Sequence, residues 1–281
     1  MQHFKYTLLS MFVSLLCSAC NERELPAQVP QLVVEGYIDD GGFPVVMLTT
    51  TFPVSTVPQR TDSIVEHLLR WAKVTVSDGE QDVVLTGMAD EAYFPPFVYT
   101  TSRLRGQVGR KYMLRVEYEG FSATAVTTIP APPIVDSLIV MPTEVDSLFS
   151  LRVYLKDTLQ SLPCYMVFVR SGVDGRQWLP AYLGLKQGVQ GEEKISIVVN
   201  KPWSTVDSLE YSPFFCRGDT VGVKVSRIDE QVYLFWKDYA NSVNFQRNPL
   251  MPFSENAHSN INGGIGCWYG CGSVKIPVLI K

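Results

Sequence analysis

The feature that most constrains the fold of this chain is a recurring unit: a short β-branched run, a tight-turn signal, and a second β-branched run. LVVEGYI (32–38) is followed by DDGGFP and then VVMLTTT (45–51), the form of two strands joined by a Gly-rich hairpin loop. In AKVTVSDGEQDVVLTG the unit recurs, with Asp78-Gly79 where a tight turn would fall. KYMLRVEYEGFSATAVTTI repeats it around Glu119-Gly120. Strands at such intervals predict a β-sandwich of about a hundred residues, placed at 31–130. The stretch IPAPPIVDSL then interrupts the pattern. Pro130, Pro132 and Pro133 have no amide hydrogen to give a sheet and favour an extended link, so a domain boundary is expected there. Beyond it, SLFSLRVYL, CYMVFVR, EKISIVVN and DTVGVKVSR read as further strands. The expected fold class is mainly β, with two β-sandwich (Ig-like) domains in tandem at 31–130 and 134–281.

One segment departs from the two-residue period. In SRIDEQVYLFWKDYANSVNFQ, apolar side chains recur at Val232, Phe235, Trp236, Tyr239 and Val243, a helical stripe. Ser226, three positions before Asp229, resembles the start of a capping box, and Pro249 lies beyond the end. The spacing predicts one amphipathic helix around 229–245, packed on the second sheet or, in the sharper reading, presented to a partner.

The amino terminus addresses location. MQHFKYTLLSMFVSLLCSAC has a short polar start with Lys5, an apolar run from Leu8 to Leu16, then Ser18 and Ala19. That is the layout of a secretory signal peptide, residues 1–19, and the apolar run is about half of the roughly 20 residues a spanning helix needs. A small pair directly before Cys20 resembles the lipobox of bacterial lipoproteins, in which the cysteine thiol receives a diacylglycerol and becomes the first residue. Cys17 stands where leucine is usual, and a free cysteine is itself a small apolar side chain. A C-x-x-C redox or metal pair wants a folded βαβ context, which is not visible here. The resemblance implies lipidation at Cys20, with palmitate-type chains. One chain binds membranes only marginally, so the triacylated terminus it implies is what anchors. NERELPAQVP completes a lipidated tether at 20–30. Glu22 and Glu24, interrupted by Asn21 and Arg23, resemble the export signal for the outer face in Bacteroidota lipoproteins, which favours surface display over the periplasmic face.

Composition bounds the partners. Removing 19 of 281 residues leaves enough chain for two domains. The net charge of −4 becomes more negative when Lys5 departs, and without a basic run the chain is not a nucleic-acid binder. After export Cys164, Cys216, Cys267 and Cys271 would stand where disulfides persist, and they are the candidate disulfide residues. Four thiols allow three full pairings, and spacing does not choose among them. On one regular strand Cys267 and Cys271 would lie about 13 Å apart, too far for a bridge unless the intervening WYG turns. C-x3-C with two isolated thiols is poor zinc spacing. Once His3 leaves, only His67 and His258 remain, too few for a three-histidine zinc site and few for a triad. No H-E-x-x-H, G-x-S-x-G or P-loop pattern occurs. No metal, cofactor or catalytic residue is expected.

Other candidates have bland alternatives. Asp39-Asp40 is expected in a hairpin turn, where aspartate bonds its own backbone, and Glu192-Glu193 in a Gly-rich loop. AYFPPFVY gathers Tyr93, Phe94, Phe97 and Tyr99 around two prolines, while Trp71, Trp178, Trp203 and Trp268 are scattered. Exposed aromatics stack on sugars or grip protein partners, and the same residues can fill two cores. Tyr93, Phe94, Phe97 and Trp268 are the candidate binding aromatics. The closing NINGGIGCWYGCGSVKIPVLI is rich in glycine, which predicts a tight, irregular approach to a final strand.

Taken in order, the lipobox, LVVEGYIDDGGFPVVMLTTTFPVS, VTVSDG, TTIPAPPIVDSL, VYLFWKDY and NINGGIGCWYGCGS resemble a Bacteroidota outer-membrane lipoprotein family. Its members carry a domain of unknown function and are typically encoded beside TonB-dependent receptors. The resemblance implies a lipid-anchored, non-enzymatic accessory of the outer membrane, associated with a TonB-dependent receptor in nutrient capture, whose ligand the sequence does not name. Two other readings stay open: an exported hydrolase using a carboxylate pair about 5 to 9.5 Å apart, and a structural or adhesive surface component presenting edge strands.

Overall fold

The two-residue alternation read from the sequence is realised strand by strand. In Lys111–Tyr118, Tyr112, Leu114 and Val116 are buried while Lys111, Met113, Arg115 and Glu117 face solvent. The structure, a computed structural model, describes residues 30–51, 67–93, 95–156, 162–172, 177–189, 194–202, 212–245 and 258–281, with helix side chains described as far as 241. In its first half the strands are β1 (Leu32–Asp39), β2 (Val45–Thr50), β3 (Lys73–Ser77), β4 (Asp82–Val84), β5 (Thr86–Ala89), β6 (Phe97–Thr100), β7 (Lys111–Tyr118) and β8 (Phe121–Thr128). In its second half they are β9 (Val135–Pro142), β10 (Leu148–Leu155), β11 (Cys164–Ser171), β12 (Leu179–Gln187), β13 (Ile195–Val199), β14 (Phe215–Cys216) and β15 (Thr220–Ile228), followed by helix α1 (Glu230–Phe245) and β16 (Ile265–Leu279).

The turns follow the signals that predicted them. Glu119 and Gly120 take φ of 42° and 88° between paired Tyr118 and Phe121, both positive as a two-residue I′ hairpin requires. At the other turn Gly79 has φ of 89°, and the Asp78 carboxylate accepts the amides of Glu80 and Gln81 at 3.1 and 3.0 Å.

These strands form a mainly β structure of sandwich-like sheets. An eight-stranded sheet runs β12-β11-β15-β16-β1-β2-β6-β5. On one of its faces lie two smaller sheets: β4-β3-β7-β8, and one in which β10 pairs with β9, β13 and β14. Two hydrophobic clusters result. The first gathers Leu32, Val34, Ile38, Tyr99, Tyr112, Leu114, Ile129 and Trp268, and the second Leu151, Val153, Tyr165, Val167, Phe215, Val223 and Val225. The cores are separate, yet the chain from Gln31, except 52–57, clusters as one compact unit. The remaining unit, Met1–Pro30 with Phe52–Val57, lies almost wholly outside the described residues.

Strand β16 is the reason. Its first part pairs parallel with β1, from Val33↔Ile265 to Asp39↔Cys271, and its second part pairs antiparallel with β15, from Arg227↔Gly272 to Thr220↔Leu279. Along its inner face the even positions read Trp268, Gly270, Gly272, Val274, Ile276 and Val278. Trp268 fills the first core and Val278 packs against the second. Between them the chain linking β8 to β9 crosses the strand, and a methyl group built on Gly272 would sit 2.0 Å from the Pro130 carbonyl oxygen. One built on Gly270 would sit 2.9 Å from the Ile129 Cα, and the Gly270 amide donates to Thr127 Oγ1 at 2.8 Å. Two positions without side chains thus admit the proline-rich linker against the sheet and divide one hydrophobic layer in two.

The helix forms where its apolar stripe predicted, but its start differs from expectation. Ser226 lies inside β15, and its hydroxyl shares a hydrogen bond of 2.8 Å with Ser273. Asp229 is itself the N-cap: its carboxylate accepts the Val232 amide at 2.9 Å. A short acceptor one position before the first helical residue satisfies an orphan amide directly, and no capping box is needed. Val232 is fully buried, and Tyr233, Phe235 and Trp236 pack with it on the outer face of the long sheet. Val243 lies beyond the described side chains.

The crossing makes a prediction. Gly272→Ala forces linker or strand to shift, and the expected cost is about 1–3 kcal/mol, the range for overpacking. Urea denaturation reads this as a lower midpoint at unchanged slope; an unchanged midpoint would show that the linker crosses elsewhere.

Candidate functional site

Alternation sends every second side chain of the long sheet to the face that carries α1. These include Glu35, Tyr37 and Asp39 of β1, Cys267, Tyr269 and Cys271 of β16, Lys224, Ser226 and Ile228 of β15, and Cys164, Met166 and Phe168 of β11. Two groupings on this face carry polar chemistry.

The first is a buried knot at the step in the sheet. Lys224 Nζ donates to both carboxylate oxygens of Asp39, at 3.2 and 3.1 Å, and each residue is less than a tenth exposed. The ammonium also lies 4.2 Å from the centre of the Phe168 ring, with Tyr37 and Trp178 at 5.6 and 5.9 Å. Lys275 Nζ approaches the same carboxylate at 4.0 Å. Burying two charges costs several kcal/mol per ion unless the geometry is good and the remaining valences are met, and here both oxygens and three aromatic faces are engaged. Beside them Cys271 is pushed up to about 12 by burial and by the Asp39 charge, against a smaller opposing pull from Lys224.

Lysine, aspartate, serine and cysteine together have the composition of a nucleophilic site. Their state says otherwise. A thiol held that high stays protonated, and the thiolate is the nucleophile. Lys224 is neutralised by Asp39, and the Ser226 hydroxyl is bonded to Ser273. The arrangement instead ties β1 to β15 across 185 positions of sequence.

The second grouping is aromatic. Tyr37 and Tyr269 have ring centres 5.9 Å apart, Trp236 of α1 stands edge-on to Tyr269 at 6.3 Å, and Tyr239 follows Trp236 at 5.5 Å. Tyr37 Oη lies 3.4 Å from Tyr93 Oη. Burial raises the phenols of Tyr37, Tyr239 and Tyr269, so all three are neutral hydroxyls at physiological pH. Glu35 sits among them. The indole Nε1 of Trp236 is buried with no hydrogen-bond partner among the described residues.

The sequence candidates are dispersed by the fold. Tyr93 joins the aromatic grouping. Phe97 is half-buried against the first core, 5.5 Å from Tyr99 in a T-shaped contact. Trp268 is fully buried, its indole donating to the Tyr112 carbonyl at 3.2 Å, so it is a core residue and not a binding aromatic. Phe94, Cys20, Glu192, Glu193 and Trp203 lie outside the described residues. The disulfide expectation is also corrected: Cys164, Cys216, Cys267 and Cys271 are free thiols. Cys267 and Cys271 sit on one continuous strand, while Cys164 and Cys216 belong to strands of different sheets. Asp39, expected in a turn, is instead the buried end of β1.

His258 accepts a structural role. Its amide and ring both meet the Asp238 carboxylate, and that amide, outweighing partial burial, holds the Asp238 carboxyl below its usual range. Next to it, Asn260 imitates a strand partner. Its amide nitrogen donates to the Trp268 carbonyl at 2.7 Å, and its oxygen accepts the Trp268 amide at 2.9 Å. Among the described residues no three His, Cys, Asp or Glu side chains gather as a metal site would need.

Sequence reasoning puts Asp39 in a turn and Tyr239 on the helical stripe, and it does not single out Glu35, Tyr37, Lys224 or Tyr269. Lys224 had a signal: a charge set directly between valines in the strand TVGVKVSRI needs a buried partner if that stretch is enclosed. The others had none, because they meet only through strand pairing and the helix crossing.

The fold and these two groupings define a mainly β protein of sandwich-like sheets with a helix-covered outer face. The chain matches, over residues 22–276, the model of a family described as a domain of unknown function, DUF4249, and belongs to that family. No curated protein matches it. The family match takes in β1, α1 and both members of the buried ion pair.

Two measurements test this account. Lys224→Met leaves Asp39 buried without its partner and is expected to lose about 3–5 kcal/mol of stability, most of it restored when Asp39→Leu is added. A loss too small to measure would remove the knot's structural role. For the thiols, a colourless disulfide reagent in native buffer should label Cys216 alone of the four, with Cys164, Cys267 and Cys271 reacting only after denaturation; a native protein with Cys216 blocked by a bridge would contradict the free-thiol assignment.

Proposed function

We propose that this chain is a lipid-anchored, non-enzymatic accessory of the outer membrane that works beside a TonB-dependent receptor in nutrient capture. The observation that carries the reading is the amino terminus: an apolar leader, Ser18-Ala19-Cys20, and a short polar stretch that ends where β1 begins at Leu32. A thiol acylated at Cys20 would place the β body within a tether's length of the membrane surface, since ten residues reach at most about 35 Å. Among the described residues no helix is long and apolar enough to cross a membrane.

Two features of the body support a binding role over a catalytic one. The groups with nucleophilic potential on the helix-covered face are buried thiols held protonated and a lysine paired with Asp39. The second feature is Trp71, which is 89% exposed next to Arg70. A tryptophan so presented is the side chain most often found at the energetic centre of protein interfaces.

The test has two arms. Metabolic labelling with palmitate should mark the wild-type chain and not Cys20→Ala. Gentle detergent extraction should then co-purify an outer-membrane barrel with the wild type, and Trp71→Ala should weaken that association. Labelling that persists in Cys20→Ala ends the anchor reading, and extraction of the chain alone ends the receptor reading.

A further inference from the structure

Leu69, Arg70, Trp71 and Ala72 form a corner whose two ends are tied to one buried hydroxyl. Tyr99 Oη donates to the Leu69 carbonyl at 2.6 Å and accepts the Ala72 amide at 2.9 Å. In a closed β-turn the first carbonyl takes the fourth amide directly; here the tyrosine hydroxyl stands between those two groups and bonds both. The ring behind it is rooted: Tyr99 is 2% exposed, lies on β6 opposite Val46 of β2, and belongs to the first core. Leu69 enters the same core and its amide donates to the Leu48 carbonyl at 3.1 Å, while β3 begins at Lys73 directly after the corner. Arg70 and Trp71, the two residues between the tied ends, are both exposed, Trp71 at 89%. The Arg70 guanidinium lies 6.0 Å from the centre of the Phe97 ring, which itself packs edge-on against Tyr99. An indole gains by folding back onto apolar surface; with both ends of its corner fixed, this one is held outward.

We propose that Tyr99 is the positioning residue of a protein-binding corner: its hydroxyl fixes Arg70 and Trp71 as a preformed pair that enters an apolar pocket rimmed by a carboxylate on the partner. The inference rests on the reading that this chain works beside an outer-membrane receptor, and adds which residues present Trp71 and what the partner must offer. An indole fits an apolar slot with an acceptor for its N–H, and the adjoining guanidinium calls for a carboxylate. Tryptophan and arginine are also the side chains that most often dominate the energy of protein interfaces. Binding that must first order a mobile loop gives up affinity to that ordering, and a pair fixed beforehand does not. A fluid lipid surface accepts a tryptophan in many orientations and gains little from a fixed corner, so the tie favours a protein pocket.

Tyr112 supplies the control, because its hydroxyl makes the same two kinds of bond elsewhere in the first core, donating to the Arg105 carbonyl at 3.0 Å and accepting the Gln107 amide at 2.8 Å. Tagged wild-type chain is captured with its barrel in gentle detergent, and untagged variants are titrated in until half the barrel is released. Trp71→Ala is expected to need at least about tenfold more protein than wild type, Arg70→Ala and Tyr99→Phe about threefold more, and Tyr112→Phe the wild-type amount. Because Tyr99 acts through Trp71, adding Tyr99→Phe to Trp71→Ala should weaken release no further. Hydrogen exchange on the free chain needs no partner: the Ala72 amide should exchange at least about tenfold faster in Tyr99→Phe and at the wild-type rate in Tyr112→Phe. Wild-type release by Trp71→Ala or Tyr99→Phe, an undiminished Tyr99→Phe effect when residue 71 is already alanine, an equal loss in Tyr112→Phe, or unchanged Ala72 exchange overturns the proposal. Binding of the Cys20→Ala chain to anionic phospholipid vesicles that is lost with Trp71→Ala assigns the corner to a lipid surface and also overturns it. Extraction of the wild-type chain alone is a different failure: it ends the receptor reading, and the pocket with it, while Ala72 exchange still reports the tie.

Discussion

Pro130 crosses β16 at Gly272 with no room for a side chain between them, and the arrangement of sheets depends on that crossing. The chain must pass from the first half to the second somewhere, and its linker carries prolines that cannot join a ladder. By passing over Gly270 and Gly272 it lies flat against the long sheet and seals the ends of both cores. Had those positions carried Val or Ile, as the next inward positions of the strand do, the hydrophobic layer would be continuous and the linker would have to leave the surface. The fifteen-residue strand is therefore shared property: parallel to β1 where it serves the first core, antiparallel to β15 where it serves the second.

That shared strand also creates a step on the outer face, where β1 ends and β15 begins to pair. Two carboxylates of β1 meet different fates there. Asp39, at the step, is drawn into a buried pair with Lys224 and shielded by Phe168, Tyr37 and Trp178. Glu35, four residues earlier on the same face, is exposed to solvent. One pair satisfies its charges internally and contributes to holding the halves together. The other charge is solvated at the surface. Local chemistry distinguishes them little; the difference lies in which strand each one faces.

Much of the architecture was readable from residues alone. Period-two alternation in KYMLRVEY, the Glu119-Gly120 turn and the stripe from Val232 to Tyr239 each predict the element that forms, because each rests on interactions within a few residues. The N-cap was misplaced by three positions, since Ser226 and Asp229 are both competent caps and only the extent of β15 decides between them. Trp268 is a core residue although its setting, GCWYG, gives no local sign of burial. Its place in the core is set by β1 alongside and β7 above.

Strand content, turn positions and the helix are thus properties of this sequence by itself, since the alternation of side chains and the conformations open to Gly, Asp and Pro are local. The tertiary structure alone decided that one strand serves two cores and that Asp39 finds Lys224. Those outcomes depend on pairings between residues up to 232 positions apart, such as Val33 with Ile265. Nothing local in a chain encodes a partner at that distance; it is selected when the sheets close and every buried charge must either meet its opposite or face water.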